Sequence, residues 1–328
     1  MRRRDFIQVI GGGAAAWPLA ARAQQPDRMR LVGVLMGYAE NDPAAQSEVA
    51  TFRGALAKLG WTESNLRIEL RWGGGNADKV RTFAKELVDL RPDVILSQTT
   101  AVTDALAGET KAVPIVFVTV GDPVASAFTT SLARPSGNIT GFTAFEPTLA
   151  GKWVELLREI APRTVRVALL SNPATGRPQL FMPSIQAAAS SLAIRISNAP
   201  VHAKDEIEGV IAAQARNPGG GLIAMPSAFN VTNRDLIIAQ AARYGVPAIY
   251  FNRLFAKSGG LINYSPDYAE QFRQAPEYID RILKGAKPAD LPVQQPTKYE
   301  LSINLKAAKA LGLDVPLHLQ QIADELIE

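Results

Sequence analysis

The chain of 328 residues contains no cysteine, so disulfides, zinc ribbons, iron–sulfur ligation and thiol nucleophiles are all excluded. It has only two histidines, His202 and His318, far apart in sequence. A multi-histidine metal site is therefore excluded, and a histidine-based triad has at most one of these two to draw on. Aromatic residues are 7% of the total, a modest share. Beyond the N-terminus no stretch of 18 consecutive apolar residues occurs, so no spanning helix is predicted there. An excess of charge of one sign is missing as well. The net charge of +4 is concentrated in residues 1–23, where Arg2, Arg3, Arg4 and Arg22 face only Asp5. The rest holds 31 basic and 30 acidic residues, a balance that offers nucleic acid nothing to bind.

What is present is ordinary globular composition, 47% hydrophobic and 20% charged, at a length that suggests about two domains. Residues 1–23 read as a signal peptide: a basic start, an apolar run of 13 residues from Val9 to Ala21, and an Ala21-Arg22-Ala23 cleavage site. The run is short of the roughly 20 residues a spanning anchor needs. Arg3-Arg4 followed by Phe6-Ile7 also resembles the twin-arginine address. Export to the periplasm, with cleavage near Ala23, is the expectation.

The mature chain alternates strand-like and helix-like pieces. Apolar β-branched runs at 31–36, 93–97, 114–120 and 138–143 are separated by helical periodicity at 44–59, 76–90 and 100–110, with a half-buried strand at 66–72. The rhythm restarts with helices at 149–160, 179–192, 205–216 and 230–244 between strands at 166–171, 194–201, 221–225 and 247–251. Continuous apolar strands alternating with helices predict parallel sheets covered on both faces. The fold class expected is α/β, two doubly wound parallel-sheet lobes. A helix at 266–285 is expected to return to lobe one, and residues from Tyr299 onward to lobe two. Lobe one is then 30–145 plus 266–290, and lobe two 146–265 plus 291–328. The hinge has three crossings, near Phe142–Pro147, Asn263–Pro266 and Pro288–Gln295. An internal echo supports two related halves: a Val113-Pro114 strand start leading to Ser136-Gly137, and a Val246-Pro247 start leading to Ser258-Gly259.

In open parallel sheets ligands bind beyond the carboxyl ends of the strands, where helix N-termini present free N–H groups. The strand exits here are hydroxyl, amide and aromatic in character with little charge, which suits a small organic ligand with one polar end. Ser97-Gln98-Thr99-Thr100 opens a helix straight after a buried strand and reads either as a carboxylate seat or as simple N-capping. Thr119 and Asp122 leave the next strand, and Asp122 reads as an ammonium partner or as a turn residue. Tyr38, Phe142, Phe251 and Tyr264 are candidate walls, or core and hinge packing. Asn172, Pro226 and Ser227 face from lobe two, Asn172 reading equally as a turn residue.

Competing chemistry finds little support. Gly73-Gly74-Gly75-Asn76 lacks the P-loop lysine and reads as a flexible loop, and no G-x-S-x-G occurs. His202 reads as a solvated surface residue, and His318 has no carboxylate pattern around it in sequence. Asp122 as the base of an exported enzyme has no second titrating group placed beside it. No cofactor and no metal are expected.

Residues 114–123 (PIVFVTVGDP), 131–141 (SLARPSGNITG), 281–292 (RILKGAKPADLP) and 296–306 (PTKYELSINLK) resemble the ABC-transporter substrate-binding family that includes tryptophan-binding TrpX-type proteins. The likeness spans nearly the whole mature chain. It implies a type I periplasmic binding fold, a ligand held between lobes, and an inner-membrane permease as partner to a monomeric carrier. Mapped onto this sequence, it implies that Ser97, Thr99 and Thr100 hold a carboxylate and Asp122 an amino group, with Asn172 and the Met225–Ser227 loop closing from lobe two. Relatives often carry an acidic residue after the position of Pro226, where this chain has Ser227-Ala228. The resemblance therefore leaves the ligand open between an amino acid and another organic acid. The function expected is solute binding for import; the alternative is a periplasmic sensor presenting its ligand to a membrane receptor kinase.

Overall fold

The computed structural model describes residues 28–135, 137–144 and 146–328. The signal-peptide reading, Ser136 of the internal echo and Phe145 of the first crossing lie outside the described residues. Among those described, no helix is long and apolar enough to cross a membrane.

The first sheet contains β1 (Arg30–Met36), β2 (Leu66–Trp72), β3 (Val94–Gln98), β4 (Ile115–Val120) and β5 (Ile139–Thr143). Their order is β2-β1-β3-β4-β5, with every pairing parallel. Helices α1 (Pro43–Lys58), α2 (Ala77–Asp89) and α3 (Thr100–Glu109) make the crossovers. The central strands read as unbroken apolar runs because both faces are covered. Val32, Val34 and Met36 of β1 enter one core with Phe52, while Leu35 enters another with Leu87 and Leu106. The edge strand β2 is only partly buried, which explains its alternating sequence.

The second sheet contains β6 (Arg166–Ser171), β7 (Arg195–Pro200), β8 (Gly220–Ala224), β9 (Ala248–Tyr250), β10 (Ile262–Pro266), β11 (Tyr299–Asn304) and β12 (Glu325–Ile327). Its order is β7-β6-β8-β9-β10-β11-β12. The first five strands repeat the order of the first sheet. The two halves of the internal echo fall on equivalent positions, β4 with β5 and β9 with β10. One pairing breaks the parallel rule: β11 runs antiparallel to β10, because the chain re-enters this sheet from the other lobe.

Helices α4 (Ala150–Ile160), α5 (Met182–Ser191), α6 (Glu206–Ala215), α7 (Ala228–Thr232), α8 (Arg234–Arg243) and α9 (Arg253–Lys257) belong to the second lobe. The periodicity of 230–244 predicted one helix; the structure breaks it at Asn233 into α7 and α8. Ser227 caps α7 by accepting from Asn230 N, and Asn230 Nδ2 donates to Leu170 O and Met225 O, anchoring the short helix to strand ends.

After β10 the chain crosses back as α10 (Tyr268–Leu283), which packs on α1, β3, β4 and β5. Residues 291–294 then run along β5, with Gln294 N donating to Gly141 O and Thr143 N to Gln294 O, before β11 rejoins the second sheet. The tail forms α11 (Leu305–Ala310) and α12 (Leu317–Ile322). His318 of α12 pairs with Glu159 of α4, a carboxylate that sequence spacing did not bring near it because the two are distant in the chain.

One further expectation is corrected. The Gly73–Gly75 loop is not loose, since Gly73 N, Gly74 N and Gly75 N donate to Met36 O, Tyr38 O and Gly37 O. Gly75 has φ +70, and a Cβ there would lie 3.0 Å from Phe229 Cα, so the missing side chain lets α7 of the second lobe approach.

Candidate functional site

The carboxyl ends of β1, β3 and β4 face those of β6, β8 and β9 across a shared narrow cavity. Both rims contribute. From the first lobe come Tyr38 after β1, Thr99 and Thr100 at the start of α3, Thr119 and Gly121 at the end of β4, and Ala144 after β5. From the second come Thr175, Gly176 and Arg177 after β6, Pro226, Ser227 and Ala228 after β8, and Phe251 after β9. Leu180, Phe181 and the first residue of α10, Tyr268, close the apolar side.

Of the thirteen residues the sequence nominated, the structure brings seven to this cavity: Tyr38, Thr99, Thr100, Thr119, Pro226, Ser227 and Phe251. The other six are engaged elsewhere. Ser97 is buried and hydrogen-bonded to Thr103 Oγ1 at 2.8 Å. Gln98 is a brace: its Oε1 accepts from Gly37 N, and its Nε2 donates to Glu48 Oε2 at 2.8 Å. Phe142 packs at 4.9 Å on Tyr278 of α10, and Tyr264 stacks at 5.7 Å on Tyr299. Asn172 Oδ1 accepts from Ala174 N, Thr175 N and Thr175 Oγ1, so it shapes its own loop.

Asp122 turns the same way. Its Oδ1 accepts from Val124 N at 3.0 Å and Ala125 N at 2.9 Å, which makes it a turn residue outside the cavity lining. Asp122→Asn keeps that acceptor and is expected to change stability by under about 0.5 kcal/mol, whereas Asp122→Ala should cost about 1 kcal/mol. Chemical denaturation of the two variants checks this; equal losses would show that the carboxylate charge, not the turn bond, matters.

The hydroxyl rim is held by unusual backbone. Thr99 has φ 82 and Thr119 φ 55, both in the left-handed region that β-branched residues avoid. The surroundings enforce both. Thr119 N donates to Gln271 Oε1 of α10 at 2.7 Å, and Gln271 Nε2 donates to Thr143 O. Thr99 N in turn donates to Thr119 Oγ1 at 3.1 Å. Thr99 occupies the N-cap position of α3 but makes no capping bond, and its Oγ1 is buried with no hydrogen-bond partner. Simple N-capping is thus excluded for this residue, and a buried polar atom left unpaired at a cavity is a place where a ligand atom belongs.

Ion pairs join the two lobes around the cavity. Arg177 of the second lobe pairs with Asp104 of α3, and Arg234 of α8 with Asp42, the N-cap of α1. Behind Tyr38 lies Glu48, fully enclosed. Burial, with the charge of Asp42 adding, pushes its carboxyl up to about 8. Burial likewise drives the Tyr38 and Tyr268 phenols far above their usual range, so both are neutral. No group of three or more histidine, aspartate or glutamate side chains is placed to hold a metal ion among the described residues.

Sequence reasoning missed Thr175, Arg177, Leu180, Phe181 and Tyr268. The loop after β6 runs on past the strand exit before α5 begins, and its later residues fold back into the cavity. Arg177, a charged residue between glycine and proline in that loop, was the one signal available in sequence.

A family model described as ABC transporter substrate binding protein matches residues 38–327. A tyrosine-binding protein of Clostridioides difficile (strain R20291) is 23% identical over 280 residues, covering 83% of this chain and 78% of the relative. Among solved structures, a conserved domain protein of Vibrio cholerae O1 biovar El Tor N16961 is similar with TM-score 0.84 and 24% identity, over 91% of this chain and 100% of that one. A Streptococcus pneumoniae ABC domain in complex with L-Trp is similar with TM-score 0.83 and 22% identity, over 91% of this chain and 99% of that one.

Proposed function

The chain belongs to the ABC transporter substrate binding protein family, and from that premise we propose that it is the periplasmic solute-binding component of an import system. It is exported by the leader at 1–23, holds a small organic ligand between its lobes, and delivers it unaltered to a permease in the inner membrane. It acts as a carrier and not as a catalyst. The ligand is an amino acid or an aromatic or other organic acid, in keeping with the tyrosine and tryptophan named for its relatives. Tyr38, Thr99, Thr100, Thr119, Pro226, Ser227 and Phe251 contact it.

The observation that carries this reading is the cavity itself: two sets of strand exits converge on one space, and a buried Thr99 hydroxyl in its wall lacks a partner. Interlobe ion pairs at Arg177 and Arg234 support a hinge that closes over the ligand. A thermal-shift screen of the common amino acids and of aromatic and aliphatic carboxylic acids tests it. A true ligand at a hundredfold excess over Kd stabilises the protein by about 2.7 kcal/mol. The absence of any shift at millimolar levels would count against the proposal.

A further inference from the structure

The proton inventory of the cavity wall restricts the ligand further, given the proposed function. Thr175 Oγ1 of the lining donates to Asn172 Oδ1; four serine and threonine hydroxyls remain, and three of them each accept one backbone N–H. Thr100 Oγ1 accepts from Gly121 N at 3.3 Å, Thr119 Oγ1 from Thr99 N at 3.1 Å, and Ser227 Oγ from Asn230 N at 3.1 Å. A backbone N–H fixes each oxygen, and no described side chain or carbonyl takes the hydroxyl proton. Each of the three therefore keeps a proton available to a ligand. The fourth, Thr99 Oγ1, has no partner at all although the residue is only 8% exposed.

Thr99 and Thr100 stand at the start of α3, with Thr119 bonded to Thr99 N, and α3 is a helix of 10 residues whose N-cap side chain makes no bond. The first N–H groups of that helix and its positive dipole end add to the same field. The one charged side chain in the lining, Arg177, is a cation and pairs with Asp104. No aspartate or glutamate lines the cavity among the described residues. Of the acids nearby, Asp42 is committed to its cap and Arg234, Asp104 to Arg177 and Asp122 to its turn, while Glu48 lies enclosed behind Tyr38, bonded to Gln98.

Such a wall stabilises an anion and gives an ammonium group no counter-charge. An uncompensated cation taken out of water is heavily penalised. We infer that the ligand of this cleft is an organic carboxylate without an ammonium group, its carboxylate seated on Thr99, Thr100 and Thr119 at the N-terminus of α3. Phe181, Phe251 and Tyr268 receive its apolar part.

Calorimetric titration of the full chain with matched pairs tests the inference: indole-3-propionate against L-tryptophan, 3-(4-hydroxyphenyl)propionate against L-tyrosine, and 3-phenylpropionate against L-phenylalanine. In at least one pair the amine-free acid should bind about tenfold or more tightly than its amino acid. An amino acid that binds as well as or better than its partner overturns the inference and leaves the carrier role standing. If none of the six binds, the ligand found in the broader screen decides: an amine-free anion supports the inference and an ammonium compound overturns it. No ligand in either set sinks both readings. For the acid that binds, Thr99→Val should weaken affinity roughly ten- to a hundredfold, as loss of a hydrogen bond to a charged group does. Thr99→Ser should retain affinity. Equal affinity in Thr99→Val and the parent removes the Thr99 seat.

Discussion

Replacing Gly141 by alanine will cost the protein at least about 3 kcal/mol of stability, a loss at the top of the range for overpacking. Gly141 has φ +152, and a Cβ there would lie 2.1 Å from Phe117 O, 2.6 Å from its N and 2.8 Å from its carbonyl carbon. All three obstacles are backbone of the neighbouring strand β4, which cannot swing aside as a flexible side chain can. β5 cannot retreat either, because Gln294 N holds Gly141 O on its other edge. The register of β4 against β5 already shifts between Phe117 and Val120, and the glycine is what lets the two backbones come so close. Thermal unfolding followed by circular dichroism should show a fall of roughly 6 °C or more. Gly108 is the control. It sits inside α3 with open space where its Cβ would be, so Gly108→Ala should be neutral or mildly stabilising. A Gly141→Ala protein that melts with the parent would show that the strands can part at no cost.

Glu48→Gln is expected to flatten the pH dependence of stability. Glu48 lies on α1, buried, with Gln98 Nε2 donating to it. Burial and the charge of Asp42, with Asp267 adding, raise its carboxyl from 4.5 to about 8 against the opposing bond from Gln98. Arg234 is engaged by Asp42. Below pH 4.5 the acid is protonated in both states and its contribution is fully present. Between 4.5 and about 8 the unfolded chain has released the proton and the folded protein retains it. Stability therefore falls as pH rises through that window, by up to about 1.4 kcal/mol per unit, and levels off above it. Glutamine has the same shape, keeps an acceptor for Gln98 and cannot ionise. Denaturant midpoints at pH 5 and pH 8 should differ less in the variant than in the parent. Identical slopes would show that Glu48 ionises in the folded protein without penalty. The variant also probes the brace that reaches Gly37, beside Tyr38 in the cavity wall, through Gln98.

Sequence reading brought residues to the cavity where they sit at or beside the end of a strand. Thr99 and Phe251 follow strand ends directly, Tyr38 stands two residues past β1 and Thr119 is the penultimate residue of β4, so their positions are set by where those strands stop. It lost resolution where a residue has its own use for the local backbone. Asp122 and Asn172 stand at strand exits like the others, yet each folds onto the N–H groups two and three residues ahead. Aspartate and asparagine compete for such turns in any sequence, and only the coordinates say which use prevails. Phe142 and Tyr264 leave the equivalent strands β5 and β10 and went instead to partners on α10 and β11.

Local pattern was enough to determine the alternation of strands and helices, though not the break of 230–244 at Asn233 or the short α9, because burial on both faces leaves an unbroken apolar run that needs no partner to be recognised. It was enough, too, to place seven of the nominated residues on the wall of one cavity. The tertiary structure alone decided which donors remain free. Whether a hydroxyl spends its oxygen on a backbone N–H, as Thr119 does on Thr99, depends on chain segments 20 residues apart meeting at one point. Whether a cation such as Arg177 faces the ligand or a carboxylate depends on how two lobes come together. Hydrogen bonds act over about 3 Å, and nothing in the order of residues along a chain measures distance through space.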